Sequence, residues 1–171
     1  VPLEAVRFPK IPGVAFPTLI KEAYRVDYGA EFRTRGIVSL EPPALGKAFP
    51  VLVPQVDEDG NETCGIRLPD VQVPLATYTG WNLRALELGA PDELFSMAGS
   101  FLPFARTQAE RQAAGDPRPS IEERYNNREA YLSRVSAAAR DLTRSGYLLE
   151  QDLPRLLERA ARQWDYLMSP R

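Results

Sequence analysis

Residues 78–84 combine the side-chain types that could form the wall of a binding pocket. This segment, Tyr-Thr-Gly-Trp-Asn-Leu-Arg, places two aromatic rings, an amide, a hydroxyl and a guanidinium around one glycine. Apolar faces with a few placed polar groups are typical of small-molecule sites. Tyr78, Trp81, Asn82 and Arg84 are therefore candidate substrate-binding residues. The alternative is structural: Trp81 fills a core, while Asn82 and Arg84 bond the backbone of an irregular segment.

A second group of candidates follows at Phe101, Phe104 and Arg106, where aromatic rings again stand close to a guanidinium. Phe104 and Arg106 are added to the candidate substrate-binding residues, and the same structural alternative applies to them. Trp164 is different, because it lies on an apolar stripe with helical spacing. That spacing predicts a core residue.

The chain contains no histidine and a single cysteine. No Ser-His-Asp or Cys-His catalytic unit and no histidine-ligated metal site can therefore form within these residues. Cys64 cannot form an internal disulfide, and we predict a buried, inert thiol. The sequence also lacks Gly-x-Ser-x-Gly and the two glycine-rich phosphate-binding patterns. We therefore predict no catalytic residue, no metal site and no cofactor in this chain.

Carboxylates are the remaining groups that could perform acid–base chemistry. Glu122 and Glu123 occupy a predicted first helical turn, where acidic residues are expected for capping reasons. Residues 57–62 are acidic, but their glycine stands fourth, whereas a calcium-binding EF-hand loop needs it sixth. We predict a solvated turn there, and an enzyme that uses only carboxylates is kept as a third alternative.

Length and charge restrict the class of protein. The chain has 171 residues and a net charge of −2. This length suits one domain, and the near-neutral charge argues against nucleic acid as the main partner. No apolar run approaches the roughly 18 residues that a membrane span needs, and no signal peptide is visible. We predict neither a nucleic-acid partner nor a membrane span.

Proline usage divides the sequence, because twelve of the sixteen prolines lie in residues 1–103. Proline fixes φ and removes a backbone donor, so this part is predicted to form loops and short strands. We predict an α+β fold that is one compact unit of three segments. Residues 1–48 form a proline-rich extended arm that lies on another surface, with a short strand at 23–27. Residues 49–103 hold a β-hairpin and an irregular aromatic segment, and residues 104–171 are helical.

The clearest β pattern lies at 49–56 and 63–68, two valine- and leucine-containing runs on either side of the acidic turn 57–62. Asp-Gly within the turn favours a hairpin with a longer loop. Pro50 and Pro54 would then stand on a sheet edge or at a bulge.

The last third carries helix signals. Thr107 and Ser120 each begin a capping box, and Asn127 is a predicted N-cap. Two long apolar stripes follow at 3.6-residue spacing, separated by a linker of about four residues, so we predict an antiparallel helix hairpin. The stripe residues are Tyr131, Leu132, Val135, Ala138, Ala139 and Leu142, then Leu153, Leu156, Leu157, Ala160, Ala161, Trp164 and Leu167.

Several segments together resemble the C-terminal region of a bacterial α/β-hydrolase-domain family. They are residues 50–62, 65–69, 73–84, 103–107 and 115–125. The strings Tyr-Thr-Gly-Trp-Asn and Gly-Asp-Pro-Arg-Pro-Ser are specific in combination. Members of this family are presumed serine hydrolases of esterase type, with the nucleophile and the catalytic histidine upstream of this region.

The resemblance implies that the chain is a C-terminal fragment of a larger α/β-hydrolase-like protein. It would dock on the upstream hydrolase core of the same protein, whose substrate would be a small ester. The chain would supply structural support and pocket wall, and no catalytic residue. The alternative is a non-catalytic structural or protein-interaction module that uses the prolines and apolar patches.

Overall fold

The computed structural model describes residues 1–19 and 21–169. Their contacts separate two compact units, one of Val1–Val6 and Thr18–Val53, the other of Arg7–Pro17 and Pro54–Arg171. The sequence predicts one compact unit of three segments, and that three-part division stays a prediction.

The first unit is built on a two-stranded antiparallel sheet. Strand β1 is Tyr24–Asp27, helix α1 is Phe32–Arg35 and strand β2 is Ala44–Ala48, with Asp27 opposite Ala44. The short strand predicted at 23–27 is therefore present. None of the described residues of this unit is buried, so the unit has no apolar interior of its own.

The second unit begins its regular structure with one helical turn and a second two-stranded sheet. Helix α2 is Pro69–Gln72, strand β3 is Ala76–Thr79 and strand β4 is Ser100–Pro103. The strands are antiparallel, with Ala76 opposite Pro103 and Thr79 opposite Ser100.

The two strands predicted at 49–56 and 63–68 do not form, whereas the turn predicted between them does. Between the two runs the structure has one isolated bridge, Val56 to Glu62, and no regular strand. The turn is held by Asp57, whose Oδ1 accepts the backbone N–H groups of Asp59 and Asn61. Prolines in the first run lack the N–H donors that a ladder needs, and the turn side chains bond β3 instead.

Four helices form the remainder of the unit, and the three predicted N-caps are present, although the full capping box forms at Ser120 and not at Thr107, where the Glu110 carboxylate accepts the N–H of Arg106 instead. The Ser120 hydroxyl accepts the Glu123 N–H while the Glu123 carboxylate accepts the Ser120 N–H. Asn127 Oδ1 accepts the N–H of Ala130. A 3-10 turn at Glu150–Asp152 leads into the last helix. The helices are α3 Gln108–Ala114, α4 Ile121–Arg124, α5 Arg128–Arg144 and α6 Leu153–Met168.

The core lies where α5 and α6 meet the β3–β4 region. The guanidinium of Arg128 at the start of α5 pairs with Asp165 near the end of α6, so the two helices are antiparallel, as predicted. Tyr131 and Trp164 stack with ring centroids 5.2 Å apart, which confirms Trp164 as a core residue. The buried cluster comprises Val73, Leu75, Phe104, Ile121, Tyr125, Tyr131, Val135, Ala138, Ala160, Trp164 and Leu167. No helix within the described residues combines the length and apolar character needed to cross a bilayer.

Candidate functional site

Trp81 lies in an aromatic cluster with two phenylalanines from the N-terminal arm. Its ring centroid is 5.4 Å from that of Phe8 and 5.6 Å from that of Phe16, both in edge-on geometry. Its backbone carbonyl accepts the hydroxyls of Thr79 and Ser100. The indole is half-buried, so one part of its surface is covered and another part is open.

The same cluster shows where part of the predicted arm lies. Residues 7–17 belong to the second unit, and Ile11 within them is buried. Phe8 also lies against Gly60 of the acidic turn, where a Cβ would stand 2.7 Å from its ring. This portion of the arm therefore packs on a surface of this chain.

Tyr78 and Phe101 are brought together by the pairing of β3 with β4. They stand opposite each other in the register, and their ring centroids are 5.4 Å apart. The Tyr78 hydroxyl accepts a hydrogen bond from Gln163 Nε2 of α6 at 2.7 Å. Burial raises the pKa of Tyr78 above its ordinary value, so the phenol stays neutral and ties the sheet to the helix.

Asn82 and Arg84 are exposed and hold the following loop through its backbone. The Asn82 carbonyl accepts the N–H of Phe95 at 2.7 Å. Arg84 Nη2 donates to the carbonyl of Leu88 at 3.2 Å. The Arg84 contact is of the kind that the structural alternative expected, whereas the Asn82 contact is made by its backbone and does not test its side chain. A role of both residues in substrate binding stays a prediction.

Phe104 and Arg106 have different surroundings. Phe104 is 3% exposed and lies beneath two guanidinium groups, those of Arg118 at 5.1 Å and Arg124 at 4.0 Å from its ring centroid. Arg106 pairs with Glu110 and donates to the carbonyl of Ser169 at the end of α6. The six predicted residues thus contact different neighbours, and their common role at a substrate pocket stays a prediction.

Arg118 and Asp116 form a buried clamp that sequence reasoning missed. Arg118 is 3% exposed, and its Nε and Nη2 donate to the two carboxylate oxygens of Asp116 at 3.0 and 2.7 Å. The same guanidinium donates to the Thr77 hydroxyl of β3 and to the Leu102 and Pro103 carbonyls of β4. One side chain therefore holds both strands of the sheet to the segment before α4.

The charge state of this clamp follows from its contacts. Burial alone would raise the pKa of Asp116, but hydrogen bonds from the Arg118 side chain and backbone, with the charges of Arg118 and Arg111, outweigh it. The net pKa of Asp116 lies below its ordinary value, so the pair stays ionised at neutral pH. The only sequence signal was the Gly-Asp-Pro-Arg-Pro-Ser string, whose role in packing is not visible from spacing.

A second unforeseen feature is a cavity of about 290 Å³ rich in arginine, hereafter the arginine cavity. Its residues come from separate stretches of the sequence, so no local motif could reveal it. It is lined by Asp57, Asp59, Arg67, Val71, Gln72, Pro74, Arg124, Tyr125 and Arg134.

Both carboxylates of the arginine cavity are engaged. Asp57 Oδ1 accepts two backbone N–H groups of its own turn, and its Oδ2 accepts Arg67 Nη2 at 3.0 Å. Both carboxylate oxygens of Asp59 accept N–H groups from Arg124: Oδ2 accepts from Nη1 at 2.7 Å, and Oδ1 accepts from Nη2. Neither carboxylate is therefore left to neutralise the remaining arginine of the wall.

Tyr125 contributes a neutral wall. Its hydroxyl donates to the Pro74 carbonyl at 2.9 Å, and Arg134 lies over its ring at 5.4 Å from the centroid. Burial raises the pKa of Tyr125 to about 12. The phenol therefore adds no negative charge at neutral pH.

Cys64 is exposed, so the predicted buried thiol is wrong. The prediction placed it inside the second hairpin strand, and that strand does not form.

A family model described as an alpha/beta hydrolase domain matches residues 19–158. The matched range begins in the first unit and ends within α6, and it covers well over half of the chain. Neither the curated proteins nor the solved structures that were compared gave a match.

Proposed function

The chain belongs to the alpha/beta hydrolase domain family, and on that premise we propose that it is the C-terminal segment of an esterase-like enzyme. It supports the catalytic part and contributes pocket wall, with Tyr78, Trp81, Asn82, Arg84, Phe104 and Arg106 as the substrate-side candidates. The observation that carries the proposal is a family match over residues 19–158 in a chain without histidine.

Ester hydrolysis in this proposal uses a serine and a histidine outside these residues. The histidine takes the serine proton while the serine oxygen attacks the ester carbonyl. Backbone N–H groups stabilise the oxyanion, and its collapse breaks the ester C–O bond, so that the alcohol leaves with the proton from the histidine and the acyl group stays on the serine. Water, which gives a proton to the histidine, then attacks the acyl group, releases the acid and regenerates the serine. This chain excludes water and orients the substrate, for which a partly open indole such as Trp81 is suited.

Exposed apolar side chains support docking against a catalytic part. Leu86, Leu88, Leu94 and Phe95 of the second unit are each at least half exposed, and Met97 is fully exposed. These five side chains fall within residues 86–97, and exposed apolar side chains grouped in this way are typical of interaction sites. The first unit, which has no buried described residue, likewise gains stability from a surface that covers it.

The same exposed side chains favour one alternative, a non-catalytic interaction module. The two proposals differ in what the gene encodes before Val1. An esterase requires a Gly-x-Ser-x-Gly pattern and a histidine in that upstream sequence, whereas an interaction module requires neither.

We expect the isolated chain to show no turnover of nitrophenyl acetate or nitrophenyl butyrate above the buffer rate. The longer gene product should hydrolyse at least one of them, because it would contain the nucleophile and its base. The measurement is the release of nitrophenolate by absorbance, with each protein purified twice by different columns. The upstream serine replaced by alanine serves as the control.

Turnover by the isolated chain that survives the second purification would contradict the proposal. A longer gene product that lacks both the serine pattern and a histidine would favour the interaction module.

Trp81→Ala in the longer protein is expected to raise KM severalfold with kcat less affected, since it removes a binding contact and leaves the chemistry unchanged. Phe8→Ala is the matched control, because it breaks the same aromatic cluster and leaves the indole itself in place. The ester assay gives KM and kcat for both variants. Equal KM values for the two variants would assign Trp81 a packing role alone.

A further inference from the structure

We propose that the arginine cavity binds a small ligand through an oxyanion, a carboxylate or a phosphate group. This proposal is independent of the ester-hydrolysis proposal, because it concerns a different set of residues. It follows from the charge balance, the free donors and the size of the cavity.

The charge balance favours an anion. Three guanidinium groups, those of Arg67, Arg124 and Arg134, line the cavity with only two carboxylates. Asp57 pairs with Arg67, and Asp59 pairs with Arg124. One positive charge is therefore left over, and a ligand carrying one negative charge would balance it.

Arg134 carries that remaining charge. It stands on α5 and lies over the Tyr125 ring, and it forms no ion pair with a carboxylate of the described residues. Ring contact leaves the in-plane N–H groups of a guanidinium free to donate. Two such parallel donors match the oxygens of a carboxylate or phosphate.

Arg67 supplies a second N–H donor that lacks an acceptor among the described residues. Its Nη2 donates to Asp57 and to the Val71 carbonyl at 2.9 Å. Its Nε is buried and has no acceptor among the described residues. A buried donor without an acceptor costs free energy, so a small adjustment of this side chain toward a bound oxygen would be favourable.

The volume limits the ligand to a small molecule. A cavity of about 290 Å³ exceeds the volume of a single ion, since one water occupies about 30 Å³. It lies near the lower end of ligand sites, which begin at roughly 300 Å³. Val71 and Pro74 offer apolar contacts for the body of the ligand, while the arginines hold its oxyanion.

The test is a calorimetric titration of the chain with sodium phosphate and with sodium acetate. Ionic strength is held constant with sodium chloride, so that screening alone gives no signal. We expect saturable binding of at least one anion. For Arg134→Gln we expect weaker binding, with a dissociation constant about tenfold larger. Arg140→Gln is the matched control, because Arg140 is exposed on the same helix and its loss changes the net charge equally.

Tighter binding of phosphate supports a phosphate-bearing ligand, and tighter binding of acetate supports a carboxylate. The proposal is overturned if neither anion binds saturably, or if Arg134→Gln and Arg140→Gln weaken binding to the same extent. Far-UV circular dichroism of both variants checks that each retains the fold, which is expected because both arginines are exposed.

Discussion

Replacing Arg118 with alanine is expected to lower the free energy of unfolding by about 3–5 kcal/mol. The substitution leaves the Asp116 carboxylate, which is 8% exposed, without its counter-charge. It also leaves the Thr77 hydroxyl and the Leu102 and Pro103 carbonyls without the donor that joins β3, β4 and the segment before α4. Removing one partner of a buried ion pair is strongly destabilising because the other charge stays buried.

Urea denaturation followed by far-UV circular dichroism measures this loss. Arg162→Ala is the control, since Arg162 forms an exposed ion pair with Glu158 and should change stability by no more than about 0.5 kcal/mol. Arg118→Lys should fall between the two, because it keeps the charge and loses the planar fork. A loss below about 1 kcal/mol for Arg118→Ala would contradict the clamp.

The helical third was predictable because its signals are local. The caps at Thr107, Ser120 and Asn127 each act on a backbone N–H three residues later, and all three form in the structure. Apolar spacing within one helix likewise needs no information from distant residues. The antiparallel hairpin then follows from a short linker.

The sheets were not predictable because their pairing is non-local. Ala76–Thr79 pairs with Ser100–Pro103 across a long irregular loop, whereas the sequence predicts that the neighbouring runs 49–56 and 63–68 pair. Adjacent runs with suitable composition favour a hairpin only if their backbone donors are available. Here the acidic turn bonds β3 through Asn61 instead.

The Arg118 clamp and the arginine cavity were not predictable for the same reason, because both bring together residues that are distant in the sequence. Arg118 violates the expectation that arginine is exposed, and its partners lie up to 41 positions away in the sequence. The arginine cavity is assembled from the turn at Asp57, the segment around α2 and the helices α4 and α5. Neither arrangement has a spacing that a single sequence could reveal.

Asn61→Asp is expected to lower the free energy of unfolding by about 3 kcal/mol or more at neutral pH. Asn61 is fully buried. Its Nδ2 donates to the Ala76 carbonyl at 3.1 Å, and its Oδ1 accepts the Tyr78 N–H at 2.8 Å, so the side chain serves one edge of β3 as a neighbouring strand would. The aspartate has nearly the same shape, but its charged form cannot donate to Ala76.

The defect should depend on pH. Burial and the nearby Asp57 carboxylate both disfavour the charged form, so the introduced carboxyl has a higher pKa in the folded chain than in the unfolded chain. The folded state then binds more protons between those two pKa values, and stability falls as pH rises through them. At acidic pH the protonated group can donate to the Ala76 carbonyl, so the variant approaches the parent chain.

Urea denaturation at several pH values, with parent and variant compared at each, gives this dependence. Asn126→Asp is the matched control: Asn126 is exposed near the end of α4, and the same change of charge there should leave a small, nearly pH-independent difference. A defect of equal size at acidic and neutral pH would mean that the loss of the amide group, and not the buried charge, determines the loss of stability. A defect as small as that of Asn126→Asp at neutral pH would mean that Asn61 does not hold the edge of β3. Two other contacts would then keep the acidic turn in place. They are the packing of Gly60 against Phe8 and the hydrogen bond from the Thr77 hydroxyl to the Asp59 carbonyl.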